Sequence, residues 1–518
     1  MYLKEQYILY QIADDLVKNN QFDVLHINEK EDEIWLEKFE NKASKVIRLV
    51  HKGFDWKNHL KRDILQVFQK AHSMRRLLAG KNIELHNVYV AAHAPVDDWE
   101  ALKKPMFLKE KTQIKMNVYY FAESEEDYKN EKERLFSSIG LPLYESSEVP
   151  SELEIENKVP TLKKSLIETQ RNKQKEMEDI FGFAKPFLIY ILLAINVLIF
   201  ILLETNGGSG SIETLIEFGA KYNPAIIEEG EWWRIVSSMF LHIGFLHLFM
   251  NMLAVYYLGA LAERIYGSWR FLIIYFLAGI GGGLASFAFS PHVSAGASGA
   301  LFGLFGALLF FGLIYKKIFF QTMGKNILLL IVINIVIGFT IPQIDMGAHL
   351  GGLIAGFIAS AIVHLPKKRA FLKQFIAFVM FFVLAGGLAV FGTANNMESQ
   401  AYLLMKIEEL NKDNKYEEVV DIATVALDKR GDMENLILFQ RSYAYIELNK
   451  IDPAIEDLES SIKLDDSIPE AYYNLALLYI NRQETEKAEE AIIKAYEMKP
   501  ENEDFIKLYE EITGEKAS

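Results

Sequence analysis

Between about residues 186 and 392 charges are scarce, and the apolar runs repeatedly reach the length of a bilayer crossing. The first, Pro186–Leu203, offers 18 uncharged residues. At a helix rise of about 1.5 Å per residue this suffices for a hydrocarbon core of about 30 Å. Further spans fit at about 244–261, 271–289, 297–315, 326–341, 347–364 and 374–392, seven in all. A purely soluble protein is excluded. Backbone crossing lipid must satisfy its own hydrogen bonds, so the spans are expected to be helices.

Lysine and arginine set the orientation. With the N-terminus inside, the short inner flanks hold Lys185, Arg264, Arg270, Lys316, Lys317, Lys325, Lys367, Lys368, Arg369 and Lys373, and the outer loops only Lys221 and Arg234. Ten against two is a clear positive-inside bias. Nothing in Met1–Tyr10 reads as a basic, then apolar, cleavable leader, which agrees with a cytoplasmic N-terminus. Seven crossings of the cell membrane then put the C-terminal region outside. The long loop from Glu204 to about Ile243 is outside too, with Trp232 and Trp233 as interface anchors.

Five units are expected, at 1–150, 151–183, 184–365, 366–394 and 398–515. In the first, helical spacing over Tyr2–Lys18 precedes short alternating runs at Phe22–Ile27, Glu33–Phe39 and Lys45–Val50, which read as half-buried strands. A helical stretch from about Trp56 to Leu78, strands at Ile83–Ala92 and Tyr119–Ala122 and a polar helix complete a cytoplasmic α/β domain. The element order resembles the core of nuclease-like α/β folds in topology only. No Asp…Glu-x-Lys metal-and-base set stands in that frame, and fold likeness alone assigns no chemistry. Residues 151–183 are rich in Lys and Glu and read as a helical linker.

From Glu398 onward 29 acidic residues face 14 basic ones, a balance of −15 within a chain of net charge −14. No basic block with interleaved aromatics occurs, so nucleic acid is not an expected partner. The same region repeats every 34 residues: Tyr445 and Tyr479, Ala454 and Ala488, Leu458 and Ile492. The last copy, Tyr472…Leu475-Ala476…Tyr479…Ala488…Ile492…Ala495…Pro500, fits the tetratricopeptide (TPR) pattern, small residues where paired helices touch and bulky ones between. A weaker copy begins near Tyr402, giving about three repeats, with an unrelated helical bundle as the alternative. Either module binds a protein partner or packs on a neighbour.

Polar residues inside spans are costly and usually functional. Here they cluster at three span openings: Leu241-His242-Ile243-Gly244-Phe245-Leu246-His247-Leu248-Phe249-Met250-Asn251, Gly296-Ala297-Ser298-Gly299, and Ala348-His349-Leu350-Gly351-Gly352-Leu353-Ile354-Ala355-Gly356. The topology, taken from Lys and Arg alone, sets all three on the outer face, so Ser298 and His349 share a depth. A serine beside a histidine is a candidate nucleophile and general base. No carboxylate lies within the spans near His349, and Asp345 is at most a weak third member, so a dyad is expected rather than a triad. His247 and Asn251, at i and i+4, share a helix face; with the Ser298 amide they could stabilise an oxyanion. Gly299-xxx-Gly303 and Gly352-xxx-Gly356 are small-residue ridges that let helices approach closely.

Together these residues resemble the rhomboid family of intramembrane serine proteases, over about 186–392. The motifs are Trp233-Arg234, His242…His247…Asn251, Glu263…Gly267-Ser268, Gly296-x-Ser298-Gly299 and Ala348-His349…Gly352…Gly356. The resemblance implies Ser298 as nucleophile, His349 as base, and His247, Asn251 and the Ser298 amide as oxyanion hole, with His242 in support. Glu263 and Arg264 would be structural. It implies a multi-pass α-helical membrane protein, a six-helix rhomboid core, here with a seventh span and TPR tail like those of the long Gram-positive rhomboids. The implied substrates are transmembrane proteins, cut without a cofactor near the outer leaflet. Phe302 stands where several members carry tyrosine, keeping a stacking surface for the histidine and losing a hydroxyl.

The rival reading is a non-proteolytic rhomboid-like adaptor or transporter that binds membrane-protein clients; the presence of both Ser298 and His349 argues against it. No metal site is expected in the core. In the N-terminal domain His51, Asp55, His59 and Asp63 recur at four-residue steps, which suits either divalent-metal ligands or a solvated helix face.

Overall fold

The computed structural model describes residues 2–40, 43–74, 82–109, 113–122, 124–142, 150–341, 343–368, 370–429 and 431–516. They form two compact units, Met1–Ile180 and Phe181–Ser518.

The first unit is built on six strands: β1 (Asp23–Asn28), β2 (Glu33–Glu40), β3 (Ala43–His51), β4 (Asn82–Val90), β5 (Met106–Lys109) and β6 (Gln113–Phe121). Their order in the sheet is β1-β2-β3-β4-β6-β5. β1, β2 and β3 pair antiparallel, while β3, β4 and β6 pair in parallel. The β3–β4 crossover is helix Lys57–Met74, which covers one face of the sheet, and helices before β1 and after β6 cover the other. Val88, Tyr89 and Val90, and likewise Tyr119, Tyr120 and Phe121, are therefore buried at consecutive positions. Of the strands expected to be half-buried and alternating, Glu33–Glu37 of β2 and Val46–Val50 of β3 are likewise buried at consecutive positions, which corrects that expectation. One face packs on Tyr10 and Leu16 of helix Tyr2–Lys18, the other on Leu60 and Ile64 of helix Lys57–Met74. The four-residue edge strand β5 was not foreseen, and the expected helix end at Leu78 lies outside the described residues, as does Arg369.

The charged stretch read as a linker is a helix, Glu152–Phe181, and it is more than a tether. Ile155, Val159 and Leu166 lie along one side of it and join the core on the Tyr10 face of the sheet.

In the second unit, each of the seven anticipated spans coincides with a helix. Five are long and apolar enough to cross a membrane: Leu188–Thr205, Gly244–Tyr266, Ser268–Phe289, Met346–Val363 and Phe371–Met397. Gly244–Tyr266 contains a π-helical turn at Val255–Gly259. The fourth span is a 17-residue helix, Ser298–Ile314, and the fifth is Gly324–Thr340, meeting Lys316–Thr322 at a 74° bend. Beyond the last span come three helix pairs and a closing helix. The pairs are Gln400–Lys412 with Tyr416–Leu427, Glu434–Glu447 with Ile451–Leu464, and Pro469–Asn481 with Thr485–Met498; Glu503–Thr513 closes the array. The repeat partners Ala454 and Ala488, and Leu458 and Ile492, are each fully buried.

Candidate active site

Three helices meet backbone to backbone at the centre of the membrane unit: Ser268–Phe289, Ser298–Ile314 and Met346–Val363. A Cβ on Gly352 would strike the Gly299 carbonyl, and one on Gly356 would strike Gly303. The two ridges read from the sequence therefore face one another. A third glycine surface, absent from that reading, comes from Ser268–Phe289: a Cβ on Gly282 would stand 2.7 Å from Ala348 O and 3.2 Å from Gly299 Cα. Any larger side chain would wedge these helices apart.

This packing brings Ser298 and His349 to adjacent helix tops. Gly299, next to the serine, lies against the carbonyl of Ala348, next to the histidine. The His349 ring stacks on Phe302, one turn below Ser298, with centroids 4.1 Å apart and planes at 15°. No hydrogen bond joins Ser298 Oγ to His349. His349 Nδ1 has no partner among the described residues, so no carboxylate orients the ring; the aromatic face does. Asp345 is committed elsewhere. Its Oδ1 accepts the Ala348 N–H at 2.9 Å, capping the histidine helix, and its other oxygen accepts the Ser286 hydroxyl.

The remaining motif residues surround the serine. Ile243 N–H donates to His247 Nδ1 at 3.4 Å, which leaves the proton of the neutral ring on Nε2. A Cβ on Gly296 would stand 3.1 Å from that Nε2 and 3.8 Å from Ser298 Oγ, so imidazole and hydroxyl flank one point. Gly296 has φ +152, a conformation side chains disfavour. His242 Nε2 accepts the Ala297 N–H at 3.4 Å, holding the residue before the serine. Asn251 donates to His247 O at 3.0 Å, and its own Oδ1 has no partner among the described residues. Ser298 is the first residue of its helix, so its N–H has no intrahelical acceptor.

A rhomboid domain model matches residues 229–366, and a tetratricopeptide repeat model matches 437–468 and 469–502. The chain is 36% identical to the rhomboid protease GluP of Bacillus subtilis (strain 168) over 482 residues, 93% of each chain. The chain belongs to the rhomboid family. It is also 40% identical to RHOMBOID-like protein 5 of Arabidopsis thaliana over 169 residues, 32% of this chain and 54% of that one. The first TPR domain of the human RPAP3 protein aligns at 23% identity over 22% of this chain and 90% of its own, with a TM-score of 0.21.

Other motif residues brace the rhomboid core. Glu263, fully buried, accepts the N–H groups of Leu188 (3.0 Å) and Ile189 (3.1 Å) and the Ser268 hydroxyl (2.6 Å), capping the first span. Arg264 contributes its carbonyl, which accepts the Ala184 N–H; its side chain is exposed. Gly267 turns between helices at φ +84. Arg234 donates to Glu231 and to the carbonyls of Ile216 and Ala220, and its guanidinium lies over Trp233. Trp232 and Trp233 are both exposed on that loop.

The four candidate metal ligands of the N-terminal domain do not converge. His51, at the end of β3, pairs with Glu5 at 2.5 Å. Asp63 is buried and accepts from Lys52 (2.6 Å) and Tyr89 (2.8 Å) beside Arg48. Asp55 and His59 are exposed. No group of three or more potential ligands occurs among the described residues.

Proposed function

We propose that this rhomboid protease cuts peptide bonds in or near transmembrane segments of other proteins, with Ser298 as nucleophile and His349 as general base. The observation that carries the reading is the His349 ring, held flat on Phe302 one turn below Ser298 where two glycine-faced helices touch. The serine hydroxyl attacks the scissile carbonyl as His349 takes its proton. The proton passes to the leaving amine, and water then releases the acyl group by the same route. In free enzymes such hydrogen bonds are often long and tighten on substrate binding. The tetrahedral oxyanion would take donors from the Ser298 N–H, the His247 Nε2–H and the second Asn251 amide hydrogen.

A substrate helix has its own amides satisfied, so residues that weaken the helix near the scissile bond should ease cleavage. The lysine and arginine asymmetry supports a cytoplasmic N-terminus with the serine near the outer leaflet, and an external TPR array that recruits clients. Reaction of the protein in detergent with a fluorophosphonate, followed by peptide mass spectrometry, tests the nucleophile. The adduct is expected on Ser298 and strongly reduced in His349→Ala. Modification elsewhere, or equal labelling of the variant, would refute the dyad and favour a client-binding adaptor.

A further inference from the structure

The Glu204–Ile243 loop is held from two sides. Its short helix Asn223–Glu228 sits between the bundle and the first TPR helix, Gln400–Lys412. Ile226 is buried against Leu284 and Phe287 of the bundle, and Ile227 packs both there and in the core of the first TPR pair. At the end of that helix Glu228 accepts the Tyr402 hydroxyl at 2.7 Å and the Lys406 amine at 2.8 Å. Tyr402 is itself only 2% exposed, so this pairing is not a loose surface contact. At its start Asn223 donates to Asn396 at 2.7 Å, and Asn396 donates to Phe287 O at 2.8 Å, tying the root of the TPR array to the same place.

Two residues before that helix, the loop reaches the segment that carries the serine. Lys221 is 1% exposed; its Nζ donates to Ser290 O at 2.8 Å, and its backbone exchanges hydrogen bonds with Ser294, at 3.0 and 3.1 Å. Four residues on from Ser294 is Ser298. Within the same segment the Gly296 N–H donates to Ser238 O at 2.9 Å, on the short turn that follows the loop's Trp233-Arg234 pair. The chain of contacts is continuous: TPR helix, Glu228, Asn223–Glu228, Lys221, Ser294, Ser298.

We infer that the first TPR helix pair is a brace that positions the outer loop, and through it the serine segment, so that the TPR array controls turnover as well as client capture. Glu228, Tyr402 and Lys406 are then positioning residues. The inference rests on the protease reading above. A ligand that pulls the first TPR helix from the loop lowers activity, and one that clamps it there raises activity. The remaining repeats, residues 434–498, keep their own surfaces for a client.

Charge reversal in the full-length protein, reconstituted in liposomes, tests this. Glu228→Lys and Lys406→Glu are compared singly and together by hydrogen exchange over 206–233 and by turnover of a transmembrane reporter. Each single variant is expected to speed exchange in the loop and lower kcat at least about fivefold, the lower end of ordinary coupling between sites, with KM little changed. The double variant restores the opposite-charge pair and is expected to recover both readouts. Unchanged exchange in both single variants, or a double variant no better than the product of the singles, overturns the brace. Faster exchange with unchanged kcat overturns its control of turnover. Should wild type and Ser298→Ala cut the reporter alike, the protease reading fails, and exchange alone still judges the brace.

Discussion

The helices that carry Ser298 and His349 and those at the rim of the bundle have similar apolar compositions and opposite demands on sequence. Over an apolar 18-residue stretch of each, Ser268–Phe289, which packs against both of the helices that carry Ser298 and His349, is 67% buried in protein and Met346–Val363 50%, against 22% for Leu188–Thr205 and 17% for Phe371–Met397. In the inner set the backbones touch, and glycine is the only residue that fits at several contacts. In the outer set most apolar side chains face lipid, and glycines on that side do no packing: a Cβ on Gly386 or Gly387 would meet nothing within 4 Å, whereas one on Gly392, where the same span touches the bundle, would strike the Phe287 ring. Hydropathy alone cannot separate the two sets. Close approach is what the dyad needs, since two short side chains on different helices can meet only if the helix axes do.

The largest effect should come from exchanging glycines between the sets. Gly356→Leu must push against the Gly303 backbone, which cannot yield, and is expected to cost about 3 kcal/mol or more. Gly387→Leu on the last span is expected to stay within about 0.5 kcal/mol. Unfolding in detergent, followed by tryptophan fluorescence, measures both. Equal losses would erase the distinction between inner and outer helices.

Next comes the aromatic support of the histidine. Phe302→Leu keeps most of the volume and loses the flat face, so kcat is expected to fall roughly 10- to 100-fold with KM nearly constant, the scale of a small misplacement at the reacting atoms. Phe302→Tyr keeps the face and is expected to keep activity. Steady-state kinetics on a reporter separates the two. Smaller still is the cap on the histidine helix: Asp345→Ala is expected to cost about 1 kcal/mol in detergent unfolding, and Asp345→Asn markedly less, because an amide oxygen can still accept the Ala348 N–H.

The smallest effect lies in the N-terminal sheet, where charges rather than glycines are buried. Burial works to raise the Asp63 carboxyl, but hydrogen bonds from Lys52 and Tyr89 and the Arg48 charge outweigh it. Burial likewise opposes, and Arg48 overcomes, in holding Glu33 below the ordinary range. A carboxyl whose folded pKa is depressed adds stability above its unfolded pKa, about 3.9 for Asp and 4.3 for Glu, and loses it as pH falls through the folded value. Amide protection of β3 and β4 should therefore be flat from about pH 8 to 7, weaken below about pH 6.5 because burial lowers the His86 imidazole on β4 to about 3, and drop further below about pH 4 as the carboxylates protonate. A drop on the alkaline side instead would contradict these pairings.

Much of this is legible in the sequence. The spans show in the scarcity of charge, the TPR pairs in a 34-residue period, and the neighbouring helix tops of Ser298 and His349 in the polar residues at span openings. The glycines at 281–283 were harder, because a run of them carries no helical phase and does not say which one faces a neighbour. Asp345 had a usable signal, a short acidic residue three before Ala348 at a helix start, but its weight as a cap was missed while it was considered as a catalytic acid. The docking of Gln400–Lys412 on the outer loop left no local trace. Glu228 and Lys406 are 178 residues apart, and nothing periodic connects them.

The most direct measurement is cleavage of a transmembrane reporter by the purified protein in liposomes, beside Ser298→Ala and His349→Ala variants of verified fold. Wild type is expected to cut within or beside the reporter's membrane segment, near the leaflet that faces Ser298, and both variants to lose at least about 10³-fold in rate. Cleavage that persists in either variant, or a wild type that cuts no reporter and takes no serine-directed probe, would contradict the Ser298–His349 dyad.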